Sequence, residues 1–300
     1  MDDRPLSILY YLPVSPRDEQ WGIVCTTAGH QHVPPGTPYP VSEHPEHYLF
    51  YKGSGRTLDE YQLVYITAGR GRFESASCPS QTVEAGTMLL LFPNEWHSYS
   101  PDPGTGWTEW WVGFRGANID RLEQQGFLCR RRPLLRIGCS GGIERCYREI
   151  IGTVEEERVG FQPLISSIVL HILGSVLFKH SNLLYSDNPV VEKINRAKAI
   201  MRTDFGRNRS PEQIAREVGM GYTWFRRVFR EYVGMAPAQY QHTMRLNKAR
   251  ELLATTAHSI SEIAYALGFE SVSAFSLFFR LRERLSPSQY RARFRGEKGQ

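Results

Sequence analysis

The chain has 300 residues, 41% of them apolar and 22% charged, enough to fill more than one core and too apolar for a largely disordered chain. Its net charge of +5 is unevenly spread: residues 1–187 carry 16 Lys and Arg against 21 Asp and Glu, while residues 188–300 carry 20 against 10. An acidic body followed by a basic final third predicts that the C-terminal part meets a polyanion, most simply nucleic acid.

Five cysteines, an odd number without C-x-x-C spacing, argue against a disulfide framework and a zinc finger. There is no run of about 18 uninterrupted apolar residues, so no transmembrane helix is expected. The start, Met1-Asp2-Asp3-Arg4, lacks the basic and apolar regions of a signal peptide. A cytoplasmic protein with no membrane partner is expected.

In chain order, residues 22–47 are rich in Pro, Gly and His and predict an irregular arm, with His30, His32, His44 and His47 in solvent. From 48 to about 116 the texture changes to short apolar or alternating runs: YLFYKG, YQLVYITAG, GRFES, TMLLLFP and WTEWWVGF. Turn residues separate them, among them Gly69, Gly71, Gly86, Pro93-Asn94 and Asp102-Pro103-Gly104. Strands at this spacing predict a small antiparallel barrel or sandwich. In the last run Trp107, Glu109 and Trp111 alternate to one face and Thr108, Trp110 and Val112 to the other.

Residues 143–182 predict helix. Leu164, Ile165, Ile168, Val169, Ile172, Leu173, Val176 and Leu177 make a stripe that fits either core under the barrel or a dimer surface. The periodicity stops around Leu183–Pro189, which sets a domain boundary, and the rest reads as helical.

The final third contains a copy of itself. Ile214-Ala215, Gly219, Phe229, Pro237 and Tyr240 answer to Ile263-Ala264, Gly268, Phe279, Pro287 and Tyr290. Each copy predicts a helix-turn-helix. Ser210-Pro211-Glu212-Gln213 and Ser259-Ile260-Ser261-Glu262 are capping boxes that open the first helices, and Gly219 and Gly268 suit the left-handed residue that ends them. On the second helix of the first copy, Phe225, Val228, Phe229 and Tyr232 form a core stripe, with Thr223, Arg226, Arg227 and Arg230 opposite. Three arginines beside a small polar residue suit a major groove, where Arg bonds guanine edges in pairs. In the second copy Phe275, Phe278 and Phe279 face the core, leaving Ser273, Ser276, Leu277, Arg280 and Arg284 outward, the two arginines placed for phosphates. Between the copies, Ala238 to about Ala254 reads as one linker helix about 25 Å long, a spacer for two successive major-groove segments.

This region, about 190–295, resembles the AraC/XylS family of transcription regulators. The resemblance rests on IAREVGMGYTWFRRVFREYVGMAPAQY, on ISEIAYALGFESVSAFSLFFRLRERLSPSQY and on the linker HTMRLNKARELLATT between them. It implies that Thr223, Arg226 and Arg227 in one helix, and Val272, Ser273, Ser276 and Leu277 in the other, touch DNA. Leu277 departs from the arginine that relatives commonly carry, so the first helix is expected to dominate sequence choice.

The N-terminal region resembles the cupin-like sensor of the family's arabinose-responsive branch, on Tyr61 to Gly71, Gly86 to Tyr99 and Gly106 to Phe114. The resemblance implies a pocket lined by Tyr99, Glu109 and Trp111, with Arg56 as a further charge. Trp would lie against a sugar ring while Glu and Tyr take its hydroxyls. The same aromatics also fit a plain barrel core. Cupin enzymes hold a metal with an H-x-H pair, a Glu and a later His. Only the later element survives here, Pro93-Asn94-Glu95-Trp96-His97, so no metal, no cofactor and no enzymatic activity are expected.

Together these features predict an α+β multidomain chain. Residues 1–140 form an antiparallel β-barrel of cupin or jelly-roll type that senses a ligand, and 141–187 a helical dimerisation segment and linker. Residues 188–300 form an all-α domain with two helix-turn-helix motifs joined by a linker helix. The expected partners are double-stranded DNA, a small-molecule effector of sugar type and a second copy of the chain, with RNA polymerase as a further candidate. The expected role is a transcription regulator, read as an activator of a catabolic operon. The rivals are a barrel that only dimerises and a cupin enzyme fused to a DNA reader.

Overall fold

The computed structural model describes residues 7–40, 55–185 and 189–296, in two units, Met1–Ser186 and Asp187–Gln300. Among the described residues the first is built on eight strands: β1 (Ser7–Tyr11), β2 (Val24–Val33), β3 (Tyr61–Ser75), β4 (Cys78–Glu84), β5 (Thr87–Leu91), β6 (His97–Pro101), β7 (Trp107–Arg115) and β8 (Leu134–Arg136). Their order is β1-β2-β7-β3-β5-β8, with β4 and β6 pairing to β3, and every pairing is antiparallel.

The long strand β3 turns this ladder into a folded barrel. Tyr61 to Ile66 pairs with β5 and β7, whereas Gly71 to Ser75 pairs with β4 and β6. The bend between them falls at Gly69, where φ is +78° and a Cβ would stand 2.1 Å from the Gly106 carbonyl oxygen. Only glycine fits both the backbone and the space. The sequence reads Gly69 and Gly71 as separators between two strands; they lie within one.

Alternation along the strands makes two cores. Val64, Ile66, Phe73, Leu89, Leu91, Tyr99, Trp107 and Trp111 fill the interior. Leu63, Tyr65, Met88, Leu90, Trp110, Val112 and Phe114 face outward under two helices, α3 (Gly141–Glu156) and α4 (Phe161–Tyr185). Three short elements complete the unit, and of them α1 (Pro16–Glu19) and α2 (Ala117–Gln124) are helical while β8 closes against β5. Gln162 pins α4 to β2: its amide oxygen accepts from Cys25 N at 3.1 Å and its amide nitrogen donates to Cys25 O at 3.0 Å.

The stripe on α4 is core for Ile165, Ile168, Val169, Ile172, Leu173 and Val176, all buried beside α3 and the sheet. Leu164 is exposed instead, and so are Leu170 and Phe178. The helix is apolar enough by length and composition to cross a bilayer, with mean hydropathy 1.8 over Phe161–Leu183. Its buried face packs on the barrel, as in the core helix of a folded domain.

The expected irregular arm is overturned in part. Residues 24–33 form β2, paired between β1 and β7, and His30 packs against Trp110 with ring centroids 4.0 Å apart and the planes tilted by 46°. His32 contacts the Thr108 hydroxyl at 2.9 Å. The strand hides its pattern because its inner face carries Gly29 and Gln31 rather than apolar side chains. His44, His47 and the run YLFYKG lie outside the described residues.

The second unit is helical: α5 (Pro189–Thr203), α6 (Pro211–Glu217), α7 (Tyr222–Val233), α8 (Pro237–Thr255), α9 (Ile260–Ala266), α10 (Val272–Glu283) and α11 (Pro287–Gly296). Helices α5, α6 and α7 surround one core of Ile194, Ile214, Phe225 and Phe229, and α9 and α10 surround a second of Ile263, Phe275 and Phe279. Both capping boxes form at Ser210 and Ser259, and Gly219 and Gly268 take φ of +67° and +76°. The linker α8 gives Tyr240 to the first core and Leu246, Ala249 and Leu253 to the second. Midway, Gln241 donates to the Arg209 carbonyl at 2.7 Å and Arg245 to the Asn208 side chain at 2.6 Å. These bonds tie the loop before α6 to the helix that joins the motifs.

Candidate DNA interface and effector pocket

On α7, Phe225 and Phe229 are fully buried and in contact, which fixes the opposite face outward. That face presents Thr223, Arg226, Arg227 and Arg230, all exposed, around a concave surface completed by Tyr222 and Glu231. The sequence pattern did not single out Trp224, which is exposed at the start of the same helix. On α10, Phe275 and Phe279 play the buried part, and Ser273, Leu277 and Arg280 stand outward. Ser276 is half-buried. Val272 is half-buried against the second core and not free on the surface. Arg284 sits past the helix end in the left-handed region, φ +62°, where the first motif has Gly234 at +80°.

The barrel interior brings together Arg56, Tyr99, Glu109 and Trp111. Arg56 donates from Nη2 to the Tyr99 hydroxyl at 2.7 Å and from Nε to His97 Nε2 at 3.3 Å. His97 Nδ1 lies 3.0 Å from the Glu95 carbonyl oxygen, so the imidazole is neutral with its proton on Nδ1. Burial, with Arg56 beside it, pushes its pKa down to about 3. Both ring nitrogens of the surviving cupin histidine are thus engaged. Among the described residues no three His, Cys, Asp or Glu side chains gather as a metal site.

Tyr39 joins the two halves of this buried set. Its hydroxyl donates to Glu109 Oε1 at 3.2 Å, and its ring lies 6.2 Å from Tyr99 and edge-on at 5.8 Å from Trp107. Burial raises the Glu109 pKa to about 7, with the Tyr39 hydroxyl and Arg56 pulling the other way. The Trp111 indole fits against β2 because position 29 is glycine: a Cβ there would come within 2.2 Å of the ring.

Sequence reasoning missed Tyr39, hidden in a Pro-rich stretch, and it missed an open donor and acceptor. Gln31 Oε1 and Trp107 Nε1 are buried with no hydrogen-bond partner among the described residues. Gln31 stands directly across the β2–β7 pair from Glu109. Buried polar atoms are almost always satisfied, so an unused acceptor and donor beside a carboxyl stand out in this interior. The alternation Gly29, Gln31, Val33 was the available signal.

A barrel with a buried polar set in its core and a tandem helix-turn-helix unit together define a DNA-binding transcription regulator with a ligand-binding domain. Residues 47–173 match the family model described as an AraC-like ligand binding domain, and residues 214–293 match a helix-turn-helix domain model, more than half of the chain between them. The chain belongs to the AraC family.

It is 29% identical over 245 residues to the HTH-type transcriptional activator RhaS of Salmonella paratyphi B, covering 78% of this chain and 85% of that one. It is 24% identical over 250 residues to the raffinose operon transcriptional regulatory protein RafR of Pediococcus pentosaceus, covering 80% and 87%. Among solved structures, an AraC-type regulator from Chromobacterium violaceum is 33% identical, covering 35% of this chain and 94% of that one at a TM-score of 0.32.

Proposed function

We propose that this chain is a cytoplasmic, non-enzymatic regulator that binds a carbohydrate in its barrel and thereby changes its occupancy of a promoter, acting as an activator of a sugar-utilisation operon. The observation that carries the sensing role is the buried polar set: Arg56, Tyr99 and Glu109, with the open atoms of Gln31 and Trp107. Trp111 supplies the flat apolar surface on which a sugar ring stacks, and the polar groups take its hydroxyls. The relatives named as a raffinose operon transcriptional regulatory protein and as a transcriptional activator support the same class. Thr223, Arg226, Arg227 and Arg230 contact one major-groove segment, and Ser273, Ser276, Leu277, Arg280 and Arg284 meet the next. The outward face of α4, with Leu164, Leu170 and Phe178 exposed, is the surface for a second copy. RNA polymerase is the further partner that activation requires.

Thermal unfolding of the full chain across a panel of sugars and sugar acids tests the sensing role. A ligand at about 100 times its Kd adds about 2.7 kcal/mol, a readily seen rise in midpoint. Stabilisation by one sugar that is lost in Trp111→Ala is the expected result. A panel without effect would favour a barrel that only dimerises.

A further inference from the structure

The two recognition helices offer different chemistry to DNA at matching positions. Aligning the buried pairs Phe225/Phe229 and Phe275/Phe279 sets Arg226 against Ser276, Arg227 against Leu277 and Glu231 against Leu281. On a helical wheel Leu277 lies diametrically opposite the buried pair of α10, at the centre of the outward face. It is 61% exposed and Leu281, one turn further on, is 68% exposed. From Val272 to Phe279 the helix carries no charge. Charge returns only at its C-terminal end. There Arg280 and Arg284 are outward, Arg282 is folded back onto the Phe278 ring at 4.0 Å, and Glu283 accepts from Arg250 at 3.0 Å.

Within the DNA-binding reading above, on which this inference rests, we propose that α10 recognises the 5-methyl groups of thymines, while α7 reads guanine edges. Leucine offers no hydrogen bond to a base, and the one apolar group on the major-groove floor is the thymine methyl. Two exposed leucines one turn apart sit where that methyl row is reached. The flanking Arg280 and Arg284 carry the positive charge that a phosphate backbone attracts, which commits this face to DNA over an apolar protein partner. The operator is therefore bipartite: a guanine-bearing segment, then a thymine-bearing segment about one helical turn away.

The test is selection of binding sites by the full chain from random duplex, followed by replacement of each thymine with deoxyuridine, which removes only the methyl. Each methyl lost in the second segment should weaken binding about fourfold, by the transfer value of one buried carbon. Thymines in the first segment should be insensitive. Leu277→Ala should diminish the uridine effect at the thymine it contacts, and Leu277→Ala with Leu281→Ala should diminish it across the second segment, both keeping the guanine requirement of the first segment, which also reports an intact fold. Equal binding of thymine and uridine duplexes, or an undiminished uridine effect in Leu277→Ala, would overturn the proposal with the regulator reading intact. Selection that returns no sequence at all would overturn both.

Discussion

Replacing Glu109 with Gln probes the pocket through its protons. The carboxyl is 3% exposed, and burial raises its pKa from 4.5 to about 7. Between those values the folded chain holds a proton that the unfolded chain has released. Stability from this group is therefore full below pH 4.5 and is lost as the pH rises to 7, at about 1.4 kcal/mol per unit and about 3 kcal/mol in all. His97 works in the opposite sense. Its pKa falls from 6.5 to about 3 on burial, so the unfolded chain binds the extra proton and stability drops as the pH falls through that range. From pH 4.5 to 6.5 the two slopes offset each other, and the parent chain shows little dependence from this pair. Removing Glu109 uncovers the histidine slope. Urea unfolding followed by tryptophan fluorescence reports the N-terminal unit, which holds all the tryptophans except Trp224. Relative to the parent, Glu109→Gln should gain about 3 kcal/mol between pH 4.5 and 7. A difference independent of pH would refute a buried, proton-holding Glu109.

Other substitutions separate the roles assigned to the reader and the outer helix. Arg226→Ala should cost about 1–3 kcal/mol of specific binding and relax one base position, and an unchanged preference in site selection would remove α7 from the groove. Arg284→Gly relieves a left-handed backbone that is costly for an L residue, so the unfolding midpoint should hold or rise. Binding by the same variant should weaken on all sequences alike and its salt slope flatten by about one; an altered base preference would contradict a phosphate contact. Phe178→Glu places a charge on the exposed face of α4 and should leave the fold intact while breaking self-association in sedimentation. Unchanged association would exclude that face as the dimer surface.

The helix-turn-helix unit was legible because its signals are local. A serine cap with Gln or Glu three residues later, a glycine in the left-handed region and a phenylalanine pair four apart each act within one turn. The barrel was legible only where apolar or alternating runs survive, in β3, β5 and β7. The strand β2 escaped because its inner face lacks a continuous apolar stripe: Gly29 leaves room for Trp111, and Gln31 buries an amide. Tyr39 escaped for a different reason. Its partners Glu109, Tyr99 and Trp107 are about 60 to 70 residues away along the chain, a juxtaposition that no periodicity encodes. Arg56 and Tyr99 were read from resemblance as pocket groups, but their mutual bond, and the capture of His97 by Arg56, became visible only in the fold.

Regulation of this kind requires coupling between a polar guest in the barrel and DNA on the helical unit. The direct measurement is the Kd of the full chain for its selected duplex, with and without the sugar that stabilises the fold. A change of fivefold or more, lost in Trp111→Ala without loss of DNA binding itself, is the result predicted. An identical Kd with and without a sugar that demonstrably binds would contradict it.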